Sequence, residues 1–398
     1  MGRQGTLAYW LVQMLSLLTG NLGRRGGNIY SPGYFPAATV GKPAPGSPFS
    51  DTPFGELRRI TGSLPGNLLA DHIEAGLVRG LIVMSGNPVL SMAGEERLRA
   101  ALAKLDLLVV IDIYASATAE HADYVLPATD FLERADVNSV SLGFQPEPYV
   151  QYTPAVVAPL HERREEWRIF GALAQALGFA SPLDEAEPDP FARIDRQFDR
   201  ANTEFAMRDL MDRPDHTITL PTPDADTLFA VGVQHPEARV DCYPWLIDQG
   251  AAACASQFQA LQQEDEHTLK LITLRTNYMV NSWMHNIPEL KRAKALDNPL
   301  FMHPEDLARL GLSDGQSVAV ENEHGALTAM VSADEDLRPG VVAMTHGWGH
   351  GSNPRMKLAS NHPGVNVNAL LPTGSNSFDP LSNMSFMTGI PVQVAAAG

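Results

Sequence analysis

The fifty residues from Gly80 to Thr129 constrain this chain more than any other stretch. Leu81-Ile82-Val83-Met84 is an apolar run of strand length, closed by Ser85-Gly86-Asn87-Pro88. Glu95 to Lys104 has helical spacing, with Leu98, Leu102 and Leu105 on one face and charges opposite. Leu107 to Ile111 is a second apolar strand, ending at Asp112, and Tyr124-Val125-Leu126 is a third, closed by Pro127. Continuous apolar strands alternating with helices predict an α/β domain, with a parallel sheet covered on both faces.

In such sheets ligands bind beyond the carboxyl ends of the strands. Here the first end carries Ser85, Gly86 and Asn87, and the second carries Asp112, Ser116 and Thr118. A glycine lets the backbone approach a ligand, and the helix that follows offers free N–H groups to a phosphate. A carboxylate at Asp112 can take two hydrogen bonds from a guanine edge or a ribose diol. Each feature alone also reads as an ordinary turn or helix cap. Their order after successive strands favours a nucleotide site.

The segments GNP, D-x-x-x-S-x-T from Asp112, and ADYVLPA from Ala122 resemble the large catalytic subunits of the molybdopterin oxidoreductase family, of the dimethyl sulfoxide reductase and formate dehydrogenase type. That resemblance implies molybdenum or tungsten held between two molybdopterin guanine dinucleotides. It gives Asp112, Ser116 and Thr118 contacts to one guanosine, and Gly86 and Asn87 a phosphate-loop role. Glu133, in DFLER, matches a family position with no role attached.

The first thirty residues resemble an internal piece of the same family, leading into the second half of a split Rossmann-like central domain. Leu7, Trp10, Leu11, Met14, Leu15 and Leu18 lie at helical spacing and predict a core face. The loop Gly23 to Asn28, with Arg24 and Arg25, reads either as an anion cradle or as a solvated turn. Ser31 to Pro65 is rich in Pro and Gly and is expected to be a lid. Phe131 to Pro159 is extended. Glu162 to Leu177 is expected to be a helix, with Trp167, Phe170, Leu173 and Leu177 inward.

From Thr268 the character changes. LKLITLR, QSVAVEN, ALTAMVSA and GVVAMTHG alternate like strands, and Pro304 to Leu310 is a short helix ended by Gly311. This pattern predicts a small β barrel. It also resembles the family's C-terminal dinucleotide-binding domain, a six-stranded double-psi β-barrel. Three of its loops are candidates for function. Arg275 precedes a dense polar run of Thr276, Asn277, Asn281, Ser282, His285 and Asn286, which the resemblance lays along pterin or pyrophosphate. His346 and His350 stand four apart, but with glycines between them and no Glu, so a zinc helix is disfavoured and His346 is expected to contact a pterin edge. In Gly364-Val365-Asn366-Val367-Asn368 the resemblance gives Asn368 a pterin hydrogen bond, natural for an amide that both donates and accepts. Asp379 is expected to be structural.

The expected order is therefore residues 1–180 as the second half of the central α/β domain, 181–266 as an acidic bridge, and 267–398 as the barrel. A formal charge of −17 argues against nucleic acid and anionic membrane surfaces as partners. No apolar run approaches the roughly 20 residues of a membrane span. Cys242 and Cys254 cannot make an iron–sulfur or zinc site. By resemblance, an iron–sulfur cluster, the metal's protein ligand and much of the substrate pocket belong to a missing N-terminal portion or to a companion polypeptide. The resemblance implies one further partner, an iron–sulfur electron-transfer subunit. The expected activity is two-electron redox of a small-molecule substrate in the complete enzyme; a non-catalytic pterin-dinucleotide module or inactive fragment is the alternative. The substrate is not legible, and neither is the compartment, since a twin-arginine signal would lie upstream of Met1.

Overall fold

The computed structural model describes residues 2–29, 49–60, 62–139, 145, 147–186, 188–201, 203–221, 233, 235, 237, 239–291, 296–351, 353 and 355–398. The chain divides into two compact units: Met1–Ala8, Gly46–Val125 and Trp245–Gly398 form one, and Tyr9–Pro45 and Leu126–Pro244 form the other. Most of the expected lid falls on residues 31–48, outside the described residues; Phe49–Thr52 and Gly55–Arg58 after it form an antiparallel hairpin.

Helix α1 (Gly5–Leu18) forms where its spacing predicts, but the expected core face does not hold. Only Leu7 is buried, whereas Leu11, Leu15 and Leu18 are 53%, 63% and 83% exposed. Periodicity gathers apolar side chains on one stripe; it does not supply the surface that covers them.

The strands β1 (Gly80–Met84), β2 (Leu107–Asp112) and β3 (Tyr124–Pro127) form a sheet in that order, and β1 and β2 are parallel with Ile82 opposite Val109. The turn α2 (Pro88–Ser91) and helix α3 (Glu95–Leu102) lie between β1 and β2 in the chain. Val89, Leu90, Leu98, Ala101 and Leu102 pack with Val83, Leu108 and Val110 in one core. Central strand β2 is buried on both faces, as expected. Edge strand β1 is not: Ile82 and Met84 are about half exposed. The β1 groups that bond β2 belong to odd residues, since Ser85 N donates to Ile111 O and Leu107 N to Arg79 O. The backbone of Ile82 and Met84 therefore faces the other edge, and β1 pairs with no strand but β2 among the described residues.

The second unit holds a three-stranded sheet of Asp136–Val137, Tyr149–Thr153 and Thr217–Thr219. Val137, Val150, Phe198, Met207 and Leu210 form its core. Helix α4 spans Glu166–Ala176, four residues later than the expected start. Its buried residues are Ile169 and Gly171; the expected inward Phe170 and Leu177 are 39% and 71% exposed. Buried Glu133 ties two loops together, accepting from Asp130 N (3.0 Å), Leu160 N (3.3 Å) and Arg163 Nη1 (2.5 Å). The Asp130 N–H, helped by Arg163, holds its carboxylate below the usual range.

Helix α5 (Trp245–Leu261) returns to the first unit and precedes a closed six-stranded barrel. The strands are β4 (Leu269–Leu274), β5 (Leu300–Met302), β6 (Ser317–Asn322), β7 (Gly325–Ala333), β8 (Val341–Thr345) and β9 (Ile390–Ala396). Round the barrel they run β5-β7-β6-β9-β4-β8, with β5/β7 and β8/β4 parallel and β5 pairing back onto β8. Inward residues alternate along each strand, giving a core of Leu269, Leu271, Leu300, Met302, Val318, Val320, Val331, Val342, Met344 and Val392. Helix α6 (Pro304–Leu310) ends at Gly311, which takes the left-handed conformation at φ +67°.

One buried amide braces the barrel mouth. Asn298 donates to Thr345 O (3.1 Å) and Val365 O (2.8 Å) and accepts from Val365 N (2.9 Å). Beside it His285, Trp348 and His350 are almost fully buried, with ring centroids 4.3 Å (His285–Trp348) and 5.0 Å (His285–His350) apart. The Lys291 ammonium lies 4.6 Å over the Trp348 ring. Burial, then the Lys291 and His350 charges, pushes His285 down to about 3. Burial pushes His350 down to about 4. Both rings are neutral in the folded state at neutral pH.

Two outcomes are expected. Asn298→Ala strands three backbone groups and should lower unfolding stability by about 2–4 kcal/mol in urea titrations. For the histidine pair, the unfolded chain binds protons below about pH 6.5 while the folded chain does not, so stability is full above that pH and falls as pH drops. Between about pH 6.5 and 5 the slope should approach about 1.4 kcal/mol per pH unit for each histidine. His350→Gln should flatten it by about half; an unchanged slope would show that His350 does not contribute.

Candidate functional site

The carboxyl end of β1 turns sharply, and the residue that bears the turn is not the expected glycine. Ser85 takes the left-handed conformation at φ +51°. Gly86 does not, and a Cβ built there meets nothing closer than 3.7 Å. The surrounding protein therefore does not require glycine at position 86.

Asn87 and Thr118 lock the two strand-end loops together. Asn87 Oδ1 accepts from Thr118 N (3.1 Å) and Thr118 Oγ1 (2.9 Å), and Thr118 Oγ1 accepts from Val89 N (3.2 Å). Thr118 is fully buried and its hydroxyl is used inside the protein. Its observed role is to position Asn87 and α2, not to reach outward as expected. Asn87 Nδ2 and Ser116 Oγ, in contrast, are buried with no hydrogen-bond partner. Asp112 accepts from Tyr114 N (3.0 Å), and burial raises its carboxyl above the usual range, against the opposing pull of the Tyr114 and Ile113 N–H groups.

The barrel brings two further asparagines to the same α2 turn. Asn368 Nδ2 donates to Leu90 O (2.7 Å), while its Oδ1 is buried and unpaired. Asn353 Nδ2 donates to Ala115 O (2.5 Å), tying the barrel to the loop after Asp112. Asn87, Ser116 and Asn368, far apart in the chain, are thus joined through a few hydrogen bonds and one short turn. Asp379, expected to be structural, accepts from Thr6 Oγ1 (2.5 Å) and Leu381 N (2.8 Å).

A second group lies at the end of β4. Arg275 Nη1 donates to Asn281 Oδ1 (2.8 Å), and His346 Nδ1 contacts Leu274 O (3.0 Å). With Nδ1 donating to that carbonyl, a neutral His346 keeps a lone pair on Nε2. The 3.4 Å contact of Nε2 with Asn281 Oδ1 is then a hydrogen bond only when the ring is protonated. Gly347, at φ +95°, lets this loop close, since a Cβ there would sit 2.2 Å from Asn281 O. Ser282 is half-buried at the start of the turn Trp283–Asn286. Asn286 Oδ1 accepts from Leu358 N (3.1 Å) and Ala359 N (3.3 Å), at the head of helix α7 (Lys357–Asn361).

Sequence reasoning missed Asn298, Asn353 and Glu95. Nothing local marks the roles they take here, because the partners concerned (Thr345 and Val365, Ala115, and Asn366) lie 47 to 271 positions away. Among the described residues no three His, Cys, Asp or Glu side chains gather in a way that could hold a metal ion. No helix described is long and apolar enough to cross a membrane.

Comparison with known proteins assigns this architecture. Residues 2–176 match the family model for molybdopterin oxidoreductase, and residues 269–390 match the molydopterin dinucleotide binding domain. A putative catalytic chain of dimethyl sulfoxide reductase from Halobacterium salinarum is 27% identical over 62% of this chain and 30% of its own length. Biotin sulfoxide reductase of Cereibacter sphaeroides is 25% identical over 94% of the chain and 54% of its own length. The solved structure of acetylene hydratase from Pelobacter acetylenicus shares the fold over 84% of the chain and 47% of its own, at TM-score 0.63 and 20% identity. The chain thus spans between about a third and about half of the relatives it matches. With both family models matched in order along it, the chain belongs to the molybdopterin oxidoreductase family.

Proposed function

We propose that this chain is the part of a molybdenum or tungsten bis(molybdopterin guanine dinucleotide) oxidoreductase that holds guanosine and pterin portions of the cofactor. The observation that carries the reading is the set of unpaired buried atoms at Asn87, Ser116 and Asn368. Buried polar groups in native proteins are almost always paired, and each orphan costs about 1–3 kcal/mol. Asn87 Nδ2 is a donor suited to a phosphate oxygen, the Ser116 hydroxyl can donate to or accept from a guanosine, and Asn368 Oδ1 is an acceptor for a pterin N–H. The spare room at Gly86 fits close approach of a phosphate to the backbone.

In this reading Asp112 and Ser116 serve one guanosine, with Thr118 fixing the loop behind them. Gly86 and Asn87 serve phosphate, and Asn368 serves a pterin. Arg275, Asn281, Ser282 and His346 line the pterin or pyrophosphate at the end of β4. The bound cofactor supplies two-electron redox of a small-molecule substrate; these residues supply binding and orientation. The α/β part is the second half of a split Rossmann-like domain within residues 1–180. The barrel of residues 267–398 has double-psi connections.

The remaining half of the fold, with any iron–sulfur cluster and the metal's protein ligand, is supplied by further polypeptide of the same family. Two observations support this. The relatives carry about half their length or more outside the match. Strand β1 pairs with no strand but β2 among the described residues, as an edge awaiting a further strand would.

Gly86→Ala tests the cofactor reading without touching an internal contact. Unfolding stability of the cofactor-free chain should stay within about 0.5 kcal/mol of wild type. Guanine nucleotide released from protein purified with its cofactor should fall severalfold. Asp112→Ala should also lower it. Unchanged guanine content in both variants would sink the assignment.

A further inference from the structure

Glu95 opens α3 and is one of the residues whose role the sequence hides. Its carboxylate is divided between two partners. Oε1 accepts from Arg99 Nε (3.0 Å) and Nη2 (2.9 Å), one helical turn on. Oε2 accepts from Asn366 Nδ2 (2.7 Å), on the barrel. The other end of that amide, Asn366 Oδ1, accepts from Asn368 N (3.1 Å) and caps the turn Val367–Leu370. Asn368 in turn donates to Leu90 O and keeps its Oδ1 unpaired.

This relay admits one arrangement. A carboxylate only accepts, so Glu95 must face the NH2 of Asn366. Turning Asn366 over would set its oxygen against the carboxylate and its NH2 against the Asn368 N–H, losing both bonds. Backbone on both sides closes in to keep the distances short. Gly94, at φ +70°, leaves no room for a Cβ, which would lie 2.6 Å from Thr373 Cγ2. A Cβ on Gly349 would lie 2.7 Å from Asn366 Cβ.

We propose that Glu95 is a positioning residue that holds Asn366, and through it the turn carrying Asn368, in the orientation that presents Asn368 Oδ1 to the pterin. The inference rests on the reading of Asn368 given above. A purely structural role would run through the Arg99 ion pair instead.

Two readouts on one set of variants separate these roles. The first is amide hydrogen exchange at Asn368 in the cofactor-free chain. The second is pterin content, as the fluorescent oxidation product, of protein purified from molybdenum-supplied cells. Glu95→Leu should speed exchange at Asn368 about tenfold and lower pterin content at least threefold. Glu95→Gln keeps an acceptor for Asn366 and removes the charge that pairs Arg99; both readouts should stay within twofold of wild type. Asn366→Ala breaks the relay while leaving the Glu95–Arg99 pair, and should reproduce Glu95→Leu even if that variant folds poorly. If Glu95→Gln behaves like Glu95→Leu, or if Asn366→Ala changes neither readout, the proposal is overturned. Asn368→Leu tells the two readings apart. Unchanged pterin content in it would remove the pterin role of Asn368. Lowered content in it, with normal content in Asn366→Ala, would remove only the role of Glu95.

Discussion

The buried side-chain amide is the device on which this structure depends. Asn67, Asn87, Asn298, Asn353, Asn366 and Asn368 are all buried in the first unit, and each braces chain segments that are distant in sequence or fixes a turn. Asn67 bonds Ser377, Asn87 bonds Thr118, Asn298 bonds Thr345 and Val365, Asn353 bonds Ala115, and Asn368 bonds Leu90. An amide carries a donor and an acceptor on one short arm, so it can join two backbones where no strand ladder is available. Such braces are stiff because, once buried, each lost bond leaves a polar group without water. They are also directional, because the two ends of the amide are not interchangeable.

That directionality decides which end of Asn87 and of Asn368 is left unpaired. Asn298 uses both ends of its amide internally. Asn87 uses its oxygen twice and leaves its NH2 unused, while Asn368 uses its NH2 and leaves its oxygen. The two leftovers are of opposite kind; Asn87 precedes the α2 turn and Asn368 bonds Leu90 within it, with Ser116 two residues from the Asn87 lock. The stability lost at these atoms is offset by barrel and sheet cores whose apolar residues are almost fully buried. The amide ends at Asn87 and Asn368 can therefore stay unpaired without loosening the loops that carry them.

The elements themselves are legible in the sequence because they obey local rules. The strand runs at Leu81 and Leu107, the helix Pro304–Leu310 and four of the six barrel strands follow from periodicity and turn residues. The three-residue strand Leu300–Met302 is too short to carry a period, and Ile390–Ala396 is hidden behind its proline. Helix α1 shows the limit in another way. Its apolar residues are legible as a stripe but not as a core face, because covering them requires surface that lies outside their own sequence. The exposed Phe170 and Leu177 of α4 follow the same logic. At the site, Asp112, Ser116, Asn87 and Asn368 stand out by residue type and by resemblance. Asn298, Asn353 and Glu95 do not, since each is defined by a partner on another element.

The turn at Ser85 adds a physical reason to regard the β1 end as built for a ligand. A serine at φ +51° is strained where a glycine would not be, yet the neighbouring glycine occupies ordinary backbone with room for a side chain. Were the turn the only requirement, the two residues would be better exchanged. Their order makes sense if something outside the chain needs the bare backbone of Gly86 more than the turn needs relief. The strain at Ser85 is then borne by the parallel pairing behind it, where Ser85 N still reaches Ile111 O at 2.9 Å. The lock between Asn87 and Thr118 holds the far side. Strain, spare room and unpaired amide thus converge on three consecutive residues, and a site for a bound anion accounts for all three at once.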